Sequence, residues 1–291
     1  MHPAPSLIVF TVFSGLGFGL LFWLGAGLID PTGLRAFILY GLGYGLAGAG
    51  LAASAFHLGH PERALLAFTQ WRSSWLSREA VLAAAALGVT APHAVATVFL
   101  DGSVPVLREI GGLLALGTVG ATAMIYAQLR TVPRWNHWTT PAVFVLAALA
   151  GGALLAGALM SGALLLAALG AALAAHWSVG DRRFRAAGST PGTATGLSGL
   201  GRVRLLEPPH TGSNYLLREM VHVVGRRHAY KLRLIALGAA SVVPAAMLLV
   251  LPGGYLVAAL ALVVHLAGML AARWLFFAEA EHVVGLYYGR A

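Results

Sequence analysis

The sequence predicts an all-α protein, a polytopic transmembrane helical bundle of eight spans forming one domain over 1–291, with both termini cytoplasmic. Three observations predict it. The chain is 58% apolar and only 10% charged, where a soluble domain carries about a quarter charged residues. Its apolar runs are long, rich in Leu and Ala and free of dyad alternation, and each approaches the ~20 residues that cross a bilayer. Backbone amides must be satisfied inside lipid, so runs of this kind are helices rather than barrel strands. Finally, the basic residues segregate. Of the 19 Arg and Lys, 17 fall on the side of the termini and only Arg35 and Arg108 on the other. The positive-inside rule makes the basic side cytoplasmic. The count remains 7 against 2 when the long connection's ten are set aside.

The first span, 7–29, follows Met1 to Ser6, a start without Lys or Arg. The apolar run is long enough to span, so no cleavable leader is expected. Gly15 and Gly19 lie four apart on this span, as do Gly41, Gly45 and Ala49 on the second, 35–57. Such small-residue stripes let helices approach closely in lipid. The third span, 79–100, opens behind Ser77, a candidate cap, with Glu79 favoured by the helix dipole. The fourth covers 109–129. The fifth and sixth, 141–159 and 162–178, form one run from Pro141 to Ser178, broken only at Met160-Ser161-Gly162. The seventh and eighth cover 232–251 and 254–277. Between the sixth and seventh, 179–230 is the only long hydrophilic stretch. It has a Gly/Ser/Thr-rich first half and, near Tyr215 to Met220, room for a short interfacial helix. It reads as a docking surface for a cytoplasmic partner.

Cysteine is absent, which excludes disulfides, iron–sulfur clusters held by this chain and covalent haem attachment. The positive charge marks a membrane face rather than a nucleic-acid site. No metal site is predicted.

Chemistry concentrates in the connection between the second and third spans. There His57-Leu58-Gly59-His60-Pro61-Glu62-Arg63 runs on through Gln70-Trp71-Arg72 to Trp75-Leu76-Ser77-Arg78-Glu79. An imidazole ending one span and a carboxyl opening the next are groups that exchange protons at a membrane boundary, as quinone chemistry requires. His57 serves equally well to bond the last carbonyls of its own helix, and Glu79 to complement a dipole. Trp71, Arg72 and Trp75 flank them, and Trp also favours membrane interfaces for its own sake. Tyr126 and Gln128 end the fourth span. The Arg130–Trp138 connection, with Trp135 and His137, repeats the theme on the same face. His93, His176 and His265 fall in or near spans. Two facing each other would hold a b-type haem, while single histidines bonded to a neighbouring helix are the plainer reading. Arg273, Glu279 and Glu281 close the last span on the cytoplasmic side, to pair with one another or to meet a partner.

The Phe56–Glu79 run, above all His57-Leu58-Gly59 and Leu76-Ser77-Arg78-Glu79, resembles the membrane-anchor subunit of DMSO reductase. Thr131-Val132-Pro133-Arg134-Trp135, Thr139-Thr140-Pro141 and the eight-span order support the resemblance. It implies an inner-membrane anchor holding an iron–sulfur subunit and a molybdopterin catalytic subunit, and exchanging electrons with ubiquinone or menaquinone. It also implies a quinone-binding histidine at His57 and an essential glutamate at Glu79. The basic face carrying this loop, and the long connection with Pro208-Pro209-His210-Thr211 and Asn214-Tyr215, look like the family's cytoplasmic sulfite dehydrogenase branch. A DMSO or other sulfur-compound reductase is the alternative within the family. A permease without redox partners is the alternative of another class, although no internal repeat is visible.

Overall fold

A computed structural model describes residues 1–56, 60–207, 209–210, 212, 214–220 and 228–289. Among the described residues there are eight helices long and apolar enough to cross a membrane, and no strand. We number them α1 (Pro5–Gly25), α2 (Gly33–Ala55), α3 (Trp75–Phe99), α4 (Pro105–Ala127), α5 (Thr139–Ala156), α6 (Leu159–Ala186), α7 (Ala229–Val250) and α8 (Tyr255–Ala278). The expected spans are all present, with ends displaced by a few residues. The largest difference is α6, which continues to Ala186. Its extra turns carry Arg182, Arg183 and Arg185, and the ion pairs of Asp181 fasten them.

The break between α5 and α6 falls at Gly157, not at Met160-Ser161-Gly162. Gly157 has φ 77°, a left-handed conformation that glycine adopts at low cost. Ala158 N–H then bonds Ala153 O at 2.9 Å, closing the helix end.

Helix α1 is the most buried of the eight and forms the centre of the bundle. Its glycines permit this, in the expected register at Gly19 but not at Gly15, Gly41 or Gly45. Gly15, Gly41 and Gly45 face open space, whereas Gly17 meets the backbone of Gly43 and Ala47 on α2, and Gly50 of α2 meets Ser14. On other faces Gly19 and Gly152 bring α1 against the backbone of α5, and Gly25 faces Gly112 of α4. A run of small residues shows that close packing occurs but not which of them turn inward. Trp23 Nε1 adds a hydrogen bond to Leu149 O at 2.9 Å.

Helix α7 contains one π turn, Gly238–Val242, just before Pro244. In a regular helix Ala240 O would accept from the N–H of residue 244, but proline has none. His265 Nδ1 of α8 takes that carbonyl at 2.6 Å. Gly268, one turn further along α8, lets Ala239 and Ala240 approach.

Met1 and the segment that follows α8 lie at one end of the bundle, where the Met1 ammonium donates to Ala280 O at 2.7 Å. The described parts of the 179–230 connection fold onto the same end. A helical turn at Pro191–Thr195 is closed by a Thr190/Thr193 capping box, and another at Tyr215–Glu219 is capped by Asn214. Tyr287 and Tyr288 of the final 3-10 segment bond Ala194 O and Asn214, at 2.8 and 3.0 Å. Beneath them Asp181 and Glu279 share Arg134 and Arg233. Arg233 donates to Asp181 at 2.6 and 2.8 Å and to Glu279 at 2.7 Å, and Arg134 to Asp181 at 2.6 Å. This network ties α6, α7 and the end of α8 to the 130–138 connection. Arg273, expected beside Glu279, instead lies inside the bundle, 3% exposed.

Gly19→Ala would push a methyl group into the backbone of Ala148. We expect a loss of about 1–3 kcal/mol, the usual overpacking cost, read as a lower unfolding midpoint in detergent; Gly15→Ala, in open space, is expected to be neutral.

Candidate functional site

The largest cavity, about 760 Å³, lies between the end of α2, the 3-10 helix Pro61–Phe68 and the first half of α3. Its walls are mostly Ala and Leu. Ser54, His60, Arg63, Gln70, Ser77 and Glu79 supply polar groups toward the end that carries the termini. Leu66, Phe68 and Leu76 line it yet remain 60%, 43% and 51% exposed, so it opens on the flank of the bundle, where lipid would lie. Leu51 and Leu87 line its deep end, and there Tyr44 of α2 donates to Leu87 O at 2.8 Å. From Leu76 to Leu87 the slot runs roughly 17 Å along α3, at 1.5 Å per helical residue.

Local sequence holds this geometry. Pro61 starts the 3-10 helix, as its fixed φ allows. Ser77 donates to Ala67 O and accepts from Gln70 N–H at 3.0 Å, closing the loop onto α3. Ser74, not Ser77, is the cap of α3. Arg78 donates to Trp71 O at 3.0 Å and Arg72 O at 2.7 Å, with its guanidinium 4.4 Å over the Trp75 ring.

Glu79 is 4% exposed and lines the cavity. Its Oε1 accepts from Thr122 Oγ1 of α4. No cation pairs with it among the described residues. A buried carboxyl with one hydroxyl partner and an apolar cavity on its open side is costly unless it has a task. Its expected companion, His57, lies outside the described residues, although Ala55 and His60, on either side of it in the chain, both line the cavity.

The other expected site residues are not brought to Glu79's cavity. Trp71 and Arg72 are exposed on the outer surface of the loop, cation to ring at 5.5 Å, and Trp75 lies half-buried beneath Arg78. Tyr126 and Trp135 are buried in an aromatic knot with Phe144, Phe276 and Phe277. Trp135 stacks on Phe276 at 5.0 Å and donates to its carbonyl at 2.9 Å, and Tyr126 stands edge-on to both rings at 5.3 Å. The 130–138 connection is therefore a packed plug rather than a second wall of the cavity.

The three membrane histidines each bond a neighbouring helix or its entry. His93 accepts from Val104 N–H at 3.0 Å, beside a second, polar cavity of about 460 Å³ at the opposite end with Tyr40, Asp30 and Arg108. His176 bonds Thr139 at 3.1 Å, and His265 bonds Ala240. Sequence reasoning missed Thr122 and the inward position of Arg273. The signal for Thr122 was a hydroxyl near the end of an apolar span, too common to single out.

Residues 1–178 match the family model described as DMSO reductase anchor subunit (DmsC). The chain belongs to that family. Over 99% of its own length and 99% of the relative's, it is 32% identical to a subunit of the sulfite dehydrogenase of Allochromatium vinosum. No solved structure matches it. As a multi-pass member of the DmsC family, it holds its polar cavity wall and its basic loops at one end of the bundle.

Thr122→Val removes the hydrogen-bond donor that meets the Glu79 carboxyl among the described residues. We expect destabilisation of about 1–3 kcal/mol, the cost of an unmet buried polar group, in thermal unfolding of the detergent-solubilised protein, with Thr122→Ser close to the parent.

Proposed function

We propose that this chain is the quinone-reactive membrane anchor of a molybdopterin oxidoreductase, passing electrons between an iron–sulfur subunit and the quinone pool. The observation that carries the reading is Glu79. It is a buried carboxyl in the wall of an apolar slot that opens at lipid level and is of a size to take a quinone head and the first part of its tail. Reduction of a quinone takes two electrons and two protons. The electrons come from the partner's clusters, since this chain has no cysteine to hold one. Glu79 gives a proton to the bound quinone's oxygen, and His57, by family resemblance, bonds a carbonyl. Ser77 and Gln70 hold the loop that forms the polar end of the slot. Trp71 and Arg72 stand outside the slot and form part of the surface that meets the electron-transfer subunit.

The bundle end bearing the termini also bears Arg63, Arg72, Arg78, Arg130, Arg134 and Arg183, while Arg35 and Arg108 are at the other. The positive-inside rule makes the slot's polar end cytoplasmic, in a bacterial inner membrane, and the partners cytoplasmic with it. Among substrates, sulfite oxidised to sulfate is favoured. The DMSO reductase anchor match ends at residue 178, whereas the likeness to the sulfite dehydrogenase subunit runs through the long connection as well.

The test is the complex isolated in mild detergent. We expect molybdenum and iron to co-purify and sulfite to drive quinone reduction. In the Glu79→Gln variant we expect at least about tenfold slower turnover at unchanged metal content, in line with the 10²–10⁴-fold contribution of positioned acids. Unaltered turnover in that variant overturns the proton role, and arrival of the chain without molybdenum or iron overturns the anchor role.

A further inference from the structure

A quinone that fills the slot also seals it. Glu79 is 4% exposed before anything is bound, and an occupied slot leaves its carboxyl facing only substrate and Thr122. To act in successive turnovers Glu79 must regain a proton from another direction. The groups behind Thr122 offer one.

The Thr122 hydroxyl faces two ways. It bonds Glu79, and it lines a small inner cavity of about 20 Å³ between α1, α4, α5 and α8, shared with Ser14, His265 and Arg273. A space of this size holds about one water. Arg273 is 3% exposed and, among the described residues, has no hydrogen bond or ion pair. Its guanidinium lies 3.4 Å from the centre of the Phe144 ring. An aromatic face alone is poor compensation for a buried charge, so donors this isolated call for water in the cavities they line. His265 presents an acceptor to the same cavity. Its Nδ1 donates to Ala240 O, which leaves Nε2 unprotonated, buried and without a partner among the described residues.

On its other side Arg273 lines a second cavity, of about 10 Å³, together with His176. His176 Nε2 is buried there and, among the described residues, unpartnered. The far nitrogen, Nδ1, is 3.1 Å from Thr139 Oγ1, which is in turn 3.1 Å from His137 Nδ1. His137 is half-buried in the 130–138 connection, at the same end of the bundle as the slot's polar end. Its own burial first, and the nearby Arg183 charge second, hold it below the usual histidine range. It therefore holds a proton less tightly than a free imidazole does.

We propose that His137, Thr139, His176 and Arg273 form a proton-uptake route that reloads Glu79 from behind through Thr122, separate from the quinone slot. The proposal rests on Glu79 being the quinone's proton donor. A proton enters at His137, crosses the Thr139 hydroxyl to His176, and continues through water held at Arg273 to Thr122 and the Glu79 carboxylate. Each group ends with the number of protons it began with, the imidazoles and the Thr139 hydroxyl turning back between transfers, and no electron moves along the route. Arg273 acts as a valve. A fixed positive charge repels a proton unless a negative charge waits beyond it, so delivery follows Glu79's loss of its own proton.

The test uses the assembled complex, with reduced benzyl viologen as electron donor, a short-chain ubiquinone as acceptor, and the protein-free rate subtracted. Thr139→Val replaces the relay hydroxyl by a methyl group of similar shape, and His176→Phe removes the inner imidazole. We expect each to slow steady quinone reduction about tenfold or more, Thr139→Ser to restore the rate, and millimolar azide, a small diffusible acid, to restore it partly in Thr139→Val. A slow Glu79→Gln variant beside a Thr139→Val variant at the parent rate overturns the route while leaving Glu79's role intact. A slow Thr139→Val variant that neither azide nor Thr139→Ser rescues shows a packing role and also overturns it. A Glu79→Gln variant at the parent rate removes the foundation of both.

Discussion

Backbone contact along α1 is the constraint on which the rest of this structure depends. In lipid no hydrophobic force drives helices together, so close fit must do it. Gly17, Gly19 and Gly25 let three neighbours reach the main chain of α1 on three different faces. The helix thereby becomes an axle, with α2, α5 and α4 around it and α8 completing the ring. Residues far apart in sequence, such as Thr122 and Arg273, come to line one interior space because each lies on the inner face of a helix drawn against that axle.

The slot is built by the opposite means. Helices α2 and α3 diverge, and the loop between them is held by polar closures: Ser77 against Ala67 and Gln70, and Arg78 against the carbonyls of Trp71 and Arg72. One half of the molecule is thus packed backbone to backbone, while the half that opens to lipid is spaced by a short 3-10 segment. Glu79 stands on the boundary, with one face toward an apolar space wide enough for a large ligand and the other toward a hydroxyl of the packed core. That position lets a carboxyl communicate with both sides.

Much of the fold was legible in the sequence, because span length and charge asymmetry are properties of segments and survive without knowledge of facing. All eight spans follow from them, and even the division of the 141–178 run is real, with Gly157 supplying the turn. Facing was not legible. Of the glycines in the expected stripes only Gly19 packs against a neighbouring backbone; Gly15 borders the inner cavity, Gly41 and Gly45 face open space, and Gly17 and Gly43, two positions away, make the α1–α2 contact. Tyr126 and Trp135 look like ring-binding walls in one dimension, yet in three they fill the core against Phe276. Glu79 stood out as the carboxyl opening the third span and through the family resemblance, and it lines the slot. Thr122 and Arg273 did not, since their significance comes from what another helix places opposite them. His57 lies outside the described residues, so its place beside the slot rests on family resemblance.

The π turn of α7 has a mechanical consequence. A wide turn holds one residue more than its length in a regular helix needs, so the two halves of α7 are out of phase by about 100°. Such a defect is free to migrate along a helix, shifting the segment it passes by one residue. Here it is pinned, because the carbonyl that Pro244 orphans is claimed by His265 from the facing helix. The imidazole thus fixes the rotational setting of the outer half of α7, and a neighbour with no side chain at Gly268 leaves the pinned turn the room it occupies.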